Sequence, residues 1–128
     1  MAEMEKLTIN VSPVDLGRIE LLVQQGFYAN RAEFIRVAIL GELAKHADAV
    51  RETATRLALV IGAVAYDRKA LEKYRKAKTR LGLRVIGLAV LADDVTPDLA
   101  RAVIETVKVH GIFRASAEVK AALRDRMT

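Results

Sequence analysis

The stretch that decides the fold is Lys6-Leu7-Thr8-Ile9-Asn10-Val11. Its apolar residues alternate with polar ones, and a period of two predicts a β-strand with one buried face. A single strand leaves its backbone groups unpaired and buries little apolar area. Pairing with the same strand of a second copy solves both problems. The sequence therefore predicts a two-stranded antiparallel ribbon, shared by a homodimer, with Lys6, Thr8 and Asn10 facing outward.

Two helices are predicted directly after this strand. The first begins at Ser12-Pro13, a good N-cap followed by a proline at the first helical position, and ends at Gly26. The second begins at Asn30, with Glu33 three residues on as in a capping box, and runs to about residue 49. The order strand, helix, helix thus fills residues 1–50, which we expect to form one domain.

The rest of the chain, residues 55–128, follows a different pattern. Strands are predicted over residues 57–66, 83–91 and 107–113, and helices begin at Asp67, Thr96 and Ser116. The helix after Asp67 is basic and is predicted to end at Gly82, and the next helix to end near residue 106. This order predicts a small α/β module of three strand–helix units and, for the whole chain, an α+β fold.

The three units share a short sequence repeat. Val60-Ile61-Gly62, Val85-Ile86-Gly87 and Val109-His110-Gly111 recur at spacings of 25 and 24 residues. A strand and a helix at this period are typical of solenoid repeats. Another α/β or ferredoxin-like packing of the three units remains the alternative. In either case the glycines fall inside strands, where a close backbone approach would explain them.

The residues around the turn between the first two helices carry a family resemblance. Gly26-Phe27-Tyr28-Ala29-Asn30-Arg31-Ala32-Glu33-Phe34-Ile35-Arg36, together with Lys6–Val11 and the Ser12-Pro13 cap, resembles the ribbon-helix-helix (Arc/MetJ/CopG-like) family over residues 5–47. The resemblance implies a dimeric DNA-binding protein whose ribbon lies in the major groove. It also implies a role in transcription regulation.

The resemblance implies roles for five residues. Lys6, Thr8 and Asn10 would contact base edges, where lysine donates to guanine and asparagine pairs with adenine. The backbone at Asn30 and Arg31 would bind a DNA phosphate, because a helix N-terminus offers free N–H groups and a positive dipole.

The distribution of charge along the chain does not match a DNA-binding role for residues 1–50. Residues 1–50 hold five Lys/Arg and seven Asp/Glu, a net charge of −2, whereas residues 51–128 hold sixteen and nine, a net charge of +7. The basic helix of the second region offers an auxiliary DNA-binding face, although a solvated face or a protein-binding face is also consistent with it. The cations of this face are Arg68, Lys69, Lys73, Lys76 and Arg80.

The sequence lacks the residues that several functional classes require. The chain has no cysteine and only two histidines, His46 and His110, which are far apart in sequence. We therefore expect no metal site, unlike the nickel-responsive members of the family. No nucleophile elbow, P-loop or His-Glu-x-x-His motif is present, so we expect neither an enzyme nor a cofactor. No apolar run is long enough for a membrane span, and no signal-peptide core follows the polar first residues, which predicts a cytoplasmic protein.

These observations favour a dimeric, sequence-specific transcriptional regulator, most simply a repressor, whose residues 55–128 assemble the protein or respond to an effector. One alternative is an autoregulatory antitoxin, although the toxin-wrapping tails of antitoxins are usually disordered, whereas residues 55–128 are apolar and regular. The other is a DNA-tethered assembly or segregation protein, because a solenoid has open ends that can stack on neighbours.

Overall fold

A computed structural model describes residues 4–128, and these form an α+β structure, as predicted. The elements in chain order are α1 (Pro13–Gln24), α2 (Arg31–Lys45), α3 (Ala47–Arg56), β1 (Val60–Tyr66), α4 (Arg68–Lys76), β2 (Leu81–Leu91), α5 (Pro97–Val103), β3 (Ile104–Arg114), α6 (Ala117–Ala122) and a short 3-10 helix (Arg124–Arg126). The chain divides between Asp48 and Ala49 into two compact units. We call them the N-terminal unit and the C-terminal unit.

Five helix starts follow local capping chemistry and confirm the predicted N-caps. In each, the side-chain oxygen of the cap accepts a hydrogen bond from the backbone N–H three residues on, which satisfies one of the free donors of the first turn. The caps are Ser12, Asn30, Asp67, Thr96 and Ser116.

In the N-terminal unit, the segment before α1 differs from the prediction. Residues 4–12 form neither helix nor strand in the single chain. The physical reason is that a ribbon needs a second strand, and the single chain supplies none here. The two helices behind it are joined through Gly26, whose φ of +87° ends α1 in the left-handed conformation that favours glycine.

The N-terminal unit has little core of its own. Among residues 4–48, only Ile19 is buried. Large apolar side chains stay exposed on the segment before α1 and on both helices, with Leu7 at 76% and Leu40 at 67%. Large apolar side chains exposed in this way are typical of surfaces that bind a partner.

The C-terminal unit is built on a three-stranded parallel sheet in the order β1-β2-β3. The three repeats lie in register, since Gly62 pairs with Gly87 and Gly87 pairs with Gly111. Helices α4, α5 and α6 pack on one face of this sheet. Their shared core contains Leu71, Leu83, Leu91, Val95, Leu99, Ala100, Val103, Ile104, Val107, Val119 and Leu123.

The close backbone approach expected at the repeated glycines is confirmed for two of them. A Cβ added to Gly87 would lie 2.1 Å from the Gly62 carbonyl oxygen, and one added to Gly111 would lie 2.2 Å from the Gly87 carbonyl oxygen. Both glycines also have positive φ, at +136° and +123°. Neither position accommodates a side chain, so the repeat is a requirement of the sheet backbone.

Several predicted boundaries are wrong. The basic helix α4 ends at Lys76 rather than at Gly82, because Lys78 takes a left-handed φ of +55° and the chain then enters β2. The predicted second helix is divided at His46 into α2 and α3. The strands are also displaced, since β1 starts at Val60, and β2 and β3 begin earlier than expected, at Leu81 and Ile104. The early starts of β2 and β3 reflect pairing between the two strands, which local sequence does not encode.

No helix within residues 4–128 is long and apolar enough to cross a membrane.

Candidate nucleic-acid interface

The three residues predicted to contact bases lie together in the segment before α1. Lys6, Thr8 and Asn10 are all exposed. The apolar residues between them are exposed as well, with Leu7 at 76% and Ile9 at 55%. The single chain therefore presents both sets of side chains to solvent, and the alternation has no inner and outer face until something covers the apolar set.

Asn30 and Arg31 come together at the start of α2, as the sequence predicts. The Asn30 side chain accepts a hydrogen bond of 2.8 Å from the Glu33 N–H. The Glu33 carboxylate in turn accepts the N–H of Ala29. This reciprocal arrangement closes the turn in the manner of a capping box. The N–H groups of Asn30, Arg31 and Ala32 have no intrahelical acceptor by the geometry of a helix start, so they remain available to an anion.

The Arg31 side chain is engaged elsewhere. Its guanidinium lies 3.5 Å from the Glu20 carboxylate on α1, and both side chains are more than half exposed. An exposed pair of this kind contributes at most about 1 kcal/mol. The Arg31 guanidinium is therefore engaged with α1, whereas the Arg31 backbone N–H has no intrahelical acceptor.

Sequence reasoning missed the aromatic contact behind this turn. The rings of Tyr28 and Phe34 meet edge to face with their centroids 5.0 Å apart. Tyr28 lies in the turn and Phe34 in the first turns of α2, so the contact fixes the turn against the helix start that carries Asn30. The spacing of six residues, from the turn into the helix, gives no periodic pattern from which the contact could have been found.

The predicted auxiliary basic face is only partly a helical face. Arg68, Lys69, Lys73 and Lys76 lie on α4 and are exposed. Arg80 lies beyond the end of α4, and its guanidinium donates a hydrogen bond of 3.4 Å to the Arg101 carbonyl oxygen. The prediction that all five cations share one helix is therefore wrong for Arg80. The remaining four are cations of the C-terminal unit, on the same side of the sheet as its core.

Residues 4–128 contain no group of three or more His, Cys, Asp or Glu side chains close enough to hold a metal ion.

Comparison with known proteins returns one family. The family model described as the Ribbon-Helix-Helix transcriptional regulator family matches residues 2–120. The match covers the segment before α1, the helix pair and nearly all of the C-terminal unit. No curated protein and no solved structure matches the chain.

Proposed function

Because the chain belongs to the ribbon-helix-helix transcriptional regulator family, we propose that it is a homodimer that reads a specific DNA sequence through a two-stranded antiparallel ribbon. The ribbon enters the major groove, which is wide enough for two strands. Repression by occluding a promoter is the simplest mechanism, since it needs only tight binding at one site.

The uncovered apolar side chains of the N-terminal unit support the dimer. Leu7 and Ile9, together with Leu40 of α2, are more than half exposed in the single chain. Burying each such side chain against a partner stabilises the assembly by at most about 1.5–3 kcal/mol. Pairing residues 6–11 of two copies would cover the apolar set and satisfy the unpaired backbone at once.

The polar set of the same segment would then face the DNA. Lys6 donates to guanine O6 or N7, Asn10 forms a bidentate pair with adenine, and the Thr8 hydroxyl serves either. Twofold symmetry doubles these contacts, so the preferred site is a pseudo-palindrome. The exposure of all three side chains supports this role.

The start of α2 would bind a backbone phosphate and so fix the ribbon in the groove. Its free N–H groups at Asn30, Arg31 and Ala32 and the positive end of a 15-residue helix both favour an anion. A phosphate contact carries no sequence information. It fixes the register and orientation of the protein on the DNA. Residues 1–50 carry a net charge of −2 and so attract DNA only weakly at long range. The basic C-terminal unit would supply this attraction, with α4 as the auxiliary contact.

The observation that carries the proposal is the segment 6–11, in which exposed apolar and exposed polar side chains alternate and no strand of the single chain pairs with it. The test is an in vitro selection from a pool of random-sequence DNA. We expect enrichment of a pseudo-palindromic site by the wild-type chain, and none by the Lys6→Ala/Thr8→Ala/Asn10→Ala variant. Failure of the wild-type chain to enrich any site would contradict sequence-specific readout.

A further inference from the structure

The sheet of the C-terminal unit has two faces of different character. One face packs on α4, α5 and α6. The register of the three strands places the opposite set of side chains on the other face. The members of this set that lie away from the strand ends are all apolar except for one histidine, and we call them the bare face. They are Ile61, Ala63, Ala65, Ile86, Leu88, Val90, His110 and Ile112.

Within residues 49–128, α3 lies near one end of this face. There, Val50 and Thr53 of α3 approach Ile86 and His110, and between them lies an apolar groove of about 340 Å³. Toward the edge strand, Ile61 is 59% exposed. Leu88 and Ile112, in the middle of the face, are half-buried.

A parallel sheet with one open apolar face is unusual. Parallel sheets are normally covered on both faces, which is why their strands read as near-continuous apolar runs. The strands here read that way, as in Val85-Ile86-Gly87-Leu88-Ala89-Val90-Leu91. The composition of β2 thus matches a sheet buried on both sides, and the second cover has to come from outside the C-terminal unit.

We propose that the bare face packs against the bare face of a second copy of this chain. The inference rests on the proposed dimer, which would hold the two C-terminal units on one tether. A tethered partner is present at an effective concentration of the order of millimolar. A weak contact is sufficient under that condition.

The size of the bare face favours a tethered copy over a free partner. Three strands about 4.8 Å apart and about six residues long at 3.3 Å each give roughly 300 Å² per copy. A stable interface between independent proteins buries about 800 Å² on each partner. The bare face is too small to recruit a free protein but large enough to hold two units that are already joined.

The charged side chains on this side of the sheet leave the centre of the bare face apolar. The cations on this side of the sheet lie toward the strand ends, with Arg84 and Lys108 before the apolar centre and Arg114 after it. A twofold contact therefore apposes apolar centre to apolar centre and leaves the cations at the rim, where long side chains reach water.

The position of Leu88 makes the contact testable. Leu88 lies on the central strand near the middle of the face, so a twofold axis along the strands or across them brings it opposite its own copy. Packed sheets are about 10 Å apart. Because the chain has no cysteine, Leu88→Cys introduces a single thiol into an otherwise inert protein.

The experiment treats the full-length L88C chain with a short bis-maleimide after light scattering has established its mass. The matched control is Lys69→Cys, on the exposed side of α4, across the sheet from the bare face. We expect L88C to form covalent dimers and K69C to form none. A chain that is dimeric by mass but in which L88C does not cross-link would overturn the inference and leave the proposed function standing. A monomeric wild-type chain would overturn both.

A second variant guards against a local effect of the thiol. Leu88→Asp places two carboxylates opposite each other in the proposed contact, whereas in an isolated unit the carboxylate at this half-buried position reaches water. We expect L88D to keep the mass of a dimer and to gain hydrodynamic radius as the C-terminal units separate, with circular dichroism reporting that they remain folded. An unchanged radius in a folded L88D dimer would count against the contact.

Discussion

Gly87 is the residue at which the C-terminal sheet tolerates least change. A Cβ there meets the Gly62 carbonyl oxygen at 2.1 Å, and φ is +136°. We expect Gly87→Ala to destabilise the C-terminal unit by about 3 kcal/mol or more, because a backbone clash adds to a strained φ. Thermal denaturation followed by circular dichroism measures the loss.

Gly62→Ala is the matched control, since Gly62 also has a positive φ, of +142°, but nothing lies within 4 Å of the added Cβ. It should cost only the strain, about 1–2 kcal/mol. Equal losses for the two variants would show that the close approach contributes nothing.

Asp125 gives the chain an acid-sensitive contact. Its carboxylate accepts a hydrogen bond of 3.0 Å from Arg101, and this bond holds its pKa below the ordinary value of 3.8. A depressed pKa in the folded state means that the contribution is present above the unfolded pKa and is lost as the pH falls through the folded one. We expect wild type to melt higher than Asp125→Asn at neutral pH, with the difference shrinking below about pH 4. A constant difference down to the lowest pH tested would exclude this linkage.

At the residue scale, sequence was a good guide wherever the chemistry is local. The caps Ser12, Asn30 and Asp67 were predictable because each cap and its partner lie three residues apart. The ion pair of Arg31 with Glu20 has no signature in the sequence, because it joins two helices. The Tyr28–Phe34 contact joins the turn to α2, and its spacing matches no helical or strand period.

The helix α4 carries a prediction about electrostatics. Three exposed lysines lie on it at positions 69, 73 and 76. If they neutralise DNA phosphates, the variant with all three changed to alanine should bind its operator more weakly at low salt. It should also show a salt slope smaller by up to about 3, since each phosphate contact contributes about 0.9. Its preference among sequences should stay the same, and anisotropy titrations over a range of salt measure both quantities. An unchanged salt slope would mean that these lysines of α4 do not contact DNA.

At the scale of elements, existence was easier to predict than extent. The three strand–helix units were visible in the repeated Val-Ile-Gly and Val-His-Gly triplets, and the glycines do pair across the sheet. The early start of β3 at Ile104 depends on pairing with a strand distant in sequence. The end of α4 at Lys76 follows the left-handed φ of Lys78, a residue type that does not signal this conformation. Residues 6–11 are the opposite case, since their alternation is clear but the strand it predicts needs a partner that one chain does not contain.

For the whole molecule, the proposed dimer separates two adjacent residues of the ribbon. Ile9 would face the shared core and Thr8 the DNA. Aspartate at these two positions should therefore affect dimerisation differently. Ile9→Asp buries a charge in the interface, whereas Thr8→Asp leaves the charge outside the interface. We expect I9D to be monomeric and T8D to remain dimeric by light scattering, with DNA binding lost in both. Two dimeric variants would contradict the ribbon.

The C-terminal unit distinguishes the proposed regulator from an antitoxin with a disordered tail. Its core joins α4, α5 and α6 to the sheet around fully buried side chains such as Leu71, Leu99 and Leu123. A tail that folds only on its toxin buries little apolar surface before binding. Because the C-terminal unit has its own core, it favours a role in assembly over the wrapping of a toxin.

The most direct test of the central claim is a fluorescence-anisotropy titration on the DNA upstream of the protein's own gene, at two salt concentrations and with competitor DNA. It compares the wild-type chain with the Lys6→Ala/Thr8→Ala/Asn10→Ala variant, which leaves the apolar set of the ribbon intact. We expect saturable, competitor-resistant binding by the wild type and its loss in the variant at both salt concentrations. Binding that the variant retains, and that fades with salt alone, would place DNA binding on the basic C-terminal unit and contradict readout by the ribbon.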